Sequence, residues 1–182
     1  YMVDGQKMSK SLGNVISPGQ LVDLFGVDGA RYLIARSFPN LNDSDVGIGR
    51  FKETYNADLA NNLGNLVSRV ANLAKGVKVE EETIGWDKEI TGLINEVRFD
   101  DAIRRVFDLW VNPTNAKINE VEPWKLAADD PKRVELMEKS IRSIRKAAFH
   151  LKPIMPEAAA KIEVSMGKEI RKIEGGLFPR IN

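Results

Sequence analysis

The sequence predicts a mainly α-helical protein: an antiparallel helix bundle preceded by a short loop and strand segment and a small helical connector. Apolar residues recur every three or four positions over most of the chain beyond residue 50, as they do on the buried faces of packed helices. Residues that start and end helices, chiefly Ser-Pro, Asp and Gly, separate these runs and leave loops of moderate length. Together these patterns favour helices that fold back on one another.

The composition excludes several classes of protein. The chain has 182 residues, of which 43% are hydrophobic, and its net charge is +1. It can therefore bury a core, but its overall charge gives no argument for a nucleic-acid partner. The absence of cysteine excludes a disulfide and a thiolate zinc site in this chain, and whether zinc binds upstream stays open. With no bilayer-length apolar run and no signal-peptide pattern, we expect a cytoplasmic protein without membrane contact.

The N-terminal part of the chain predicts a polar loop between extended pieces, followed by a connector. Residues 1–16 predict a short strand, the loop and a second extended piece. Ser17-Pro18 starts a helix that Gly26 ends, because glycine readily takes the left-handed conformation at a helix end. Asp28 is expected to cap the next helix, which runs to about Ser37. The chain begins at Tyr1 without an initiator methionine, so we expect it to be part of a longer protein.

A polar stretch from Pro39 to Gly49 is the best candidate for a boundary, which divides the chain into residues 1–49 and 50–182. Beyond it the apolar periodicity predicts helices over about 49–75, 87–97, 99–121, 131–151 and 156–166. The first of them has a possible break near Ala57, and Pro113 should kink or break the third. The apolar content of the tail at 175–181 indicates a docked segment.

The first long helix has an unusual polar face, made of Asn61, Asn62, Asn65, Arg69 and Asn72. Asparagine is a mediocre helix former, and a solvated face would more often carry Glu and Lys. Asn65 and Arg69 are four residues apart and stand side by side, and both residue types can bond the edge of a nucleic-acid base with two hydrogen bonds. The alternative is an exposed polar face without a partner.

Trp124 has two interpretations on the residues alone. It follows Pro123 at the end of a helix, where an indole can plug the end of the bundle. An exposed ring at the same place would give an unpaired base a surface to stack on. The 131–151 helix has a basic outer face, and its His150 is expected to be structural. No catalytic triad, paired carboxylates or metal-ligand spacing appears in the sequence.

The stretch from Asp4 to Asn14 is suited to polyphosphate. Lys7 and Lys10 stand among two serines and two glycines. Lysine is a compact charge that can follow a moving phosphate, and glycine lets backbone N–H groups approach an anion closely. The alternative is a solvated turn before an ordinary helix.

The string Lys7-Met8-Ser9-Lys10-Ser11, followed by Leu-Gly-Asn, resembles the signature loop of class I aminoacyl-tRNA synthetases. The narrower resemblance is to the methionyl-tRNA synthetase family. The segment Tyr55–Arg69 is similar to the first anticodon-domain helix of that family, and Asn119–Ala127 to the segment that carries its anticodon-stacking tryptophan. The segments His150–Glu157 and Leu177–Ile181 are similar to its final helices and tail.

The resemblance implies a role for each matching residue. Lys10 would contact the phosphates of ATP, with Lys7 and Ser9 supporting the loop. Asn65, Arg69 and Trp124 would bind the anticodon of the methionine tRNA. ATP and Mg²⁺ would serve the full-length enzyme, in which methionine and ATP bind through an upstream domain.

The His-Ile-Gly-His-type motif and the methionine pocket of the family are absent from this chain, so we expect it to be inactive alone. A leucine, isoleucine, valine or cysteine synthetase would share the loop, but it would not explain the asparagine face together with Pro-Trp. A non-catalytic helical RNA-binding module is the alternative of a different class. Pro113 departs from the family pattern, which puts the backbone between Trp110 and Trp124 in doubt.

Overall fold

The computed structural model describes residues 16–37 and 47–182, and the backbone alone of residues 2–3 and 6–7. Two short antiparallel strands, β1 (Met2–Val3) and β2 (Gln6–Lys7), precede the helices. The helices are α1 (Pro18–Ser37), α2 (Ile48–Thr54), α3 (Asn65–Leu73), α4 (Lys88–Asn95), α5 (Phe99–Val106), α6 (Asn112–Val121), α7 (Pro131–Leu151) and α8 (Pro156–Ser165). The mainly α-helical bundle is confirmed. None of the described helices is long and apolar enough to cross a membrane.

Helix α1 is two helices joined at Gly26, whose φ of 70° lies in the left-handed region. The predicted end of the first helix at this glycine is confirmed. The predicted role of Asp28 is wrong. Its Oδ2 accepts a hydrogen bond from the backbone N–H of Ala158 at 2.6 Å, so it caps α8, which starts 128 residues later with no cap from its own N-terminal residue. Sequence proximity suggested the nearer helix, but the buried carboxylate serves the distant one.

Helices α2 and α3 are one continuous helix through a π-helical segment, Tyr55–Gly64. In this wider turn the N–H of Asn65 donates a hydrogen bond to the carbonyl of Ala60, five residues back. No break occurs near Ala57, so that expectation is wrong. Gly64 lies in this segment against the tail, and a Cβ there would come within 2.9 Å of the Leu59 carbonyl oxygen. The predicted apolar stripe is buried at Leu59, Leu63, Leu66, Val67 and Val70.

Helices α5 and α6 are also continuous, joined by the π-helical segment Phe107–Val111. The predicted break at Pro113 is therefore wrong, and the local departure from the α-helix is the π-helical segment before it. A proline inside an α-helix clashes with the carbonyl four residues back, and a wider turn immediately before Pro113 relieves that clash. The Trp110 carbonyl accepts a hydrogen bond from Thr114 Oγ1 at 2.6 Å. The backbone thus reaches Trp124 without interruption of the helix at Pro113.

The core is one cluster that joins α1 to the rest of the bundle. Phe25, Tyr32 and Leu33 of α1 are buried in the same cluster as Ile103 of α5 and Ile144 of α7. The tail is docked as predicted: Leu177 is buried, and the side chain of Asn56 makes two hydrogen bonds to the backbone of Ile181.

His150 is structural, as expected. It is 2% exposed and stacks on Trp110 with ring centroids 4.6 Å apart. Its Nε2 accepts from the backbone N–H of Asp87 at 3.0 Å, so the ring proton lies on Nδ1, 2.8 Å from the carbonyl of Lys146. This imidazole joins the start of α4 to α7.

Candidate nucleic-acid interface

Trp124 lies on a short 3-10 turn, Pro123–Lys125, which directly follows α6. Glu122 takes a left-handed conformation with φ of 50°, which ends α6 and turns the chain. Pro123 is buried, while Trp124 is 49% exposed. A half-exposed ring does not plug the end of the bundle, so that interpretation is wrong and the indole is available to a partner.

Arg69 is held at this ring. The centre of its guanidinium group lies 5.4 Å from the centroid of Trp124, within the range of a cation–π contact. One of its Nη atoms donates to Oδ1 of Asn119 at 2.8 Å. The structure therefore brings together two of the residues that the sequence singled out, although they are 55 residues apart.

Asn65 lies one turn before Arg69 on α3 and is exposed. Its side chain makes no hydrogen bond to another described residue. Asn61 and Asn72 are likewise exposed on this face of the helix, so we call Asn61, Asn65 and Asn72 the asparagine ridge. These amides are free to donate to and accept from a ligand.

The remaining asparagine of the predicted polar face has a structural partner. The side chain of Asn62 donates to Asn112 at 2.9 Å and accepts from Asn115 at 2.7 Å, both on α6. With the Arg69–Asn119 bond, these contacts join the two helices along their polar faces. Sequence reasoning missed Asn112, Asn115 and Asn119. Their spacing of three and four residues placed them on one helical face and was a signal that could have found them.

The two glutamates that shortly precede Trp124, Glu120 and Glu122, are already paired. Lys117 bonds Glu120 at 2.7 Å, and Lys125 bonds Glu122 at 2.6 Å. Both contacts lie at the surface, where pairing reduces the charge that a carboxylate presents to an approaching phosphate. The exposed indole is therefore not surrounded by unpaired carboxylates from this turn.

The arginines of the basic face of α7 are largely committed to the fold. Arg133 donates to the carbonyls of Leu73 and Leu126, and Arg145 donates to those of Met166 and Gly167. Burial, ahead of repulsion by a neighbouring arginine, lowers the pKa of Arg145. The sequence pattern predicted only a basic outer face, and the structure shows that these two arginine side chains bind backbone carbonyls at the ends of other elements.

The loop residues are only partly placed. Lys7 lies in β2, where it pairs with Met2. Ser9 and Lys10 lie outside the described residues, so their predicted roles stay predictions. In the described part of the chain there is no group of three or more His, Cys, Asp or Glu residues that could hold a metal ion.

The chain matches the family model described as tRNA synthetases class I (M) over residues 1–71. It is 34% identical to the methionine–tRNA ligase of Synechocystis sp., with coverage of 90% of this chain and 34% of that protein. It is 33% identical to the methionine–tRNA ligase of Clostridium acetobutylicum, with coverage of 93% of this chain and 29% of that protein. The chain spans about a third of the length of these curated relatives.

The fold is similar to that of Mycobacterium tuberculosis methionyl-tRNA synthetase in complex with methionyl-adenylate, with a TM-score of 0.78 and 23% sequence identity. The match covers 98% of this chain and 43% of that one. At this identity the likeness shows the fold, and the sequence matches show the relationship. The chain is homologous to a portion of the class I methionyl-tRNA synthetases, about a third of their length.

Proposed function

We propose that this chain is the C-terminal portion of a methionine–tRNA ligase that works in the cytoplasm in protein synthesis. Residues 50–182 bind the anticodon of the methionine tRNA, and residues 1–49 carry the lysine–serine loop and a connector. One observation supports the anticodon assignment above the others: the half-exposed ring of Trp124 lies against the guanidinium group of Arg69. An aromatic ring beside a forked donor suits an unpaired base.

Each residue of the proposed site has a separate task. Trp124 offers its ring to a base of the anticodon, because stacking needs only a flat surface. Arg69 and Asn65 offer hydrogen bonds to base edges, which carry the sequence information. Asn119 is a positioning residue that fixes the guanidinium group of Arg69 beside the ring.

In the loop, the family resemblance gives Lys10 the contact with the phosphates of ATP, with Lys7 and Ser9 in support. In the whole enzyme, with Mg²⁺, the carboxylate of methionine attacks the α-phosphorus of ATP, and pyrophosphate leaves. A ribose hydroxyl at the end of the tRNA then attacks the carbonyl carbon of the adenylate, and AMP leaves. A lysine near the phosphates suits the charge that develops in the first step. The methionine pocket lies upstream, so we expect this chain to be inactive alone.

The anticodon assignment is tested by Trp124→Ala in the 182-residue chain, with a stem-loop RNA that carries the methionine anticodon as the probe. Loss of a stacked base costs roughly 1–3 kcal/mol, so the dissociation constant should rise by about ten- to a hundredfold. Because the ring is half exposed, the thermal midpoint should change little. Titration calorimetry and thermal unfolding measure the two quantities on one variant.

Trp86→Ala is the matched control, because Trp86 is 48% exposed and its ring contacts Phe149 and His150, neither of which belongs to the proposed site. It should leave RNA affinity unchanged. Equal losses for Trp124→Ala with methionine and unrelated anticodons would reduce the assignment to a general RNA-binding bundle. No loss at all would remove Trp124 from the site.

A further inference from the structure

The asparagine ridge has a second border, on the side away from α6. The segment that follows α8 passes beside α3 there. A shallow cavity of about 180 Å³ lies between them, and its polar lining is Ser68, Asn72 and Lys172. Asn72 belongs to both the ridge and this cavity, so the two surfaces are continuous.

The backbone around Lys172 is held in place although its side chain is exposed. The N–H of Arg171 donates to the carbonyl of Ser165 at 2.9 Å, and the hydroxyl of Ser165 donates back to the carbonyl of Arg171 at 2.5 Å. On the other side the N–H of Gly176 bonds the carbonyl of Ile173, just before the buried Leu177. The position from which the lysine extends is thus fixed before any ligand arrives, which reduces the entropy cost of binding.

Lys172 also differs from its neighbours in charge pairing. Lys168 lies 3.8 Å from a carboxylate oxygen of Glu81, and Arg171 lies 2.8 Å from one of Glu169. Among the described residues, no carboxylate lies within 4.0 Å of the ammonium group of Lys172. Its charge is therefore available to an anion, in a chain whose net charge of +1 supplies no general attraction for RNA.

We propose that Ser68, Asn72 and Lys172 form a phosphate-binding site for the backbone of a single-stranded RNA loop. This inference rests on the proposed function, since the loop is the one whose bases lie against Trp124 and Asn65. A hydroxyl, an amide and an ammonium group give a phosphate both hydrogen bonds and charge. The ridge lies between this site and the indole, so one RNA strand crossing α3 meets base contacts on one side and backbone contacts on the other.

Phosphate contacts position a nucleic acid without reading its sequence. Lys172→Gln should therefore weaken the binding of stem-loop RNAs equally, whether they carry the methionine anticodon or an unrelated one. Removal of one phosphate contact should lower the slope of log K against log salt by about 0.7, the value for single strands. The corresponding loss of affinity at about 0.05 M salt is about five- to tenfold.

Lys168→Gln is the matched control. It removes the same charge, but from a lysine that lies four residues before Lys172 and is already paired with Glu81. Binding of both stem-loops to the 182-residue chain is measured between about 0.05 and 0.2 M salt for each variant. The expected result is a lower slope for Lys172→Gln and an unchanged slope for Lys168→Gln. Equal slopes for all variants, or equal reductions in both, overturn the proposal, as does a loss confined to the methionine anticodon.

The two proposals fail in different ways. If Trp124→Ala has no effect while Lys172→Gln lowers the slope, the anticodon assignment fails and the phosphate site remains. If Trp124→Ala weakens the methionine stem-loop and Lys172→Gln changes nothing, the phosphate site alone fails. A chain that binds neither RNA overturns both.

Discussion

Asp28 joins two helices that are far apart in sequence. It is 7% exposed, and its carboxylate accepts the N–H of Ala158, one of the backbone donors that the start of α8 cannot satisfy within the helix. Asp28→Ala would leave this donor buried without a partner. We expect the free energy of unfolding in urea to fall by about 1–3 kcal/mol. Asp23→Ala is the control, because Asp23 is an exposed aspartate on the same helix, and it should change the free energy of unfolding little. Equal effects of the two substitutions would contradict the capping role of Asp28.

Ionisation of Tyr32 should make the free energy of unfolding depend on pH in the alkaline range. Burial, followed by the charge of Asp58, raises the pKa of Tyr32 well above its ordinary value of 10.0. Its hydroxyl donates to Asp58 at 2.8 Å. A pKa raised by folding means that the folded protein holds the proton more tightly. The contribution of Tyr32 to the free energy of unfolding is thus fully present below pH 10 and is lost as the pH rises through the pKa of Tyr32 in the folded protein.

The unfolding free energy should therefore fall as the pH rises above about 10. Tyr32→Phe should flatten this decline, because the variant has no phenol to ionise at that position. It should not abolish it, because burial also raises the pKa of Tyr55. Urea unfolding at a series of pH values, with tyrosinate absorbance as a second measurement, gives the comparison. An unchanged pH profile in Tyr32→Phe would show that other groups cause the decline.

Single residues also show what the sequence could and could not predict at the site. The excess of asparagine on the first long helix was visible, and Trp124 and Arg69 stood out by type. Which amides pair was not visible, because Asn62 and Asn112 are 50 residues apart and their contact depends on how two helices pack. The structural role of the arginines of α7 was not visible for the same reason, because their carbonyl partners belong to other elements.

At the level of elements, apolar periodicity predicted nearly every helix but neither π-helical segment. A π-helical turn shifts the register by a single residue, and the apolar stripe survives that shift, since Phe51 before the segment Tyr55–Gly64 and Leu66 after it are both buried. Proline at 113 was the visible signal for one segment, and it was interpreted as a break. For the segment Tyr55–Gly64, the relevant feature is Gly64, whose lack of a side chain lets the Leu59 carbonyl oxygen lie close to its Cα.

Gly64→Ala tests the role of that approach. Alanine usually stabilises a helix relative to glycine by about 1 kcal/mol. Here its Cβ would lie 2.9 Å from the Leu59 carbonyl oxygen, a backbone atom that cannot move without distorting the segment. We therefore expect Gly64→Ala to lower the unfolding free energy by about 1–3 kcal/mol. Gly92→Ala in α4, where nothing lies within 4 Å of the added Cβ, should raise it or leave it unchanged. A gain at both sites would show that the π-helical segment tolerates a side chain.

At the level of the whole molecule, the functional division at residue 49 and the folding unit need not coincide. The division stays a proposal, based on the loop motif and the polar stretch that follows α1. The core, however, contains large side chains from α1 together with those of the bundle: Leu21, Phe25, Tyr32 and Leu33 are each 5% exposed or less. Arg31 further bonds the carbonyls of Pro153 and Ile154, just before α8.

Deletion of residues 1–46 tests whether the bundle folds without α1. Burial of a large apolar side chain contributes about 1.5–3 kcal/mol, so four of them contribute about 6–12 kcal/mol. This equals most of the 5–15 kcal/mol that typically stabilises a domain, so we expect the shortened chain to lose cooperative unfolding while the 182-residue chain unfolds in one transition. Leu33→Ala in the full chain is the control: it should lower the stability of that single transition by about 2–5 kcal/mol without splitting it. Circular dichroism on heating distinguishes the cases, and a shortened chain with a sharp transition near that of the full chain would make residues 1–49 a separate structural unit.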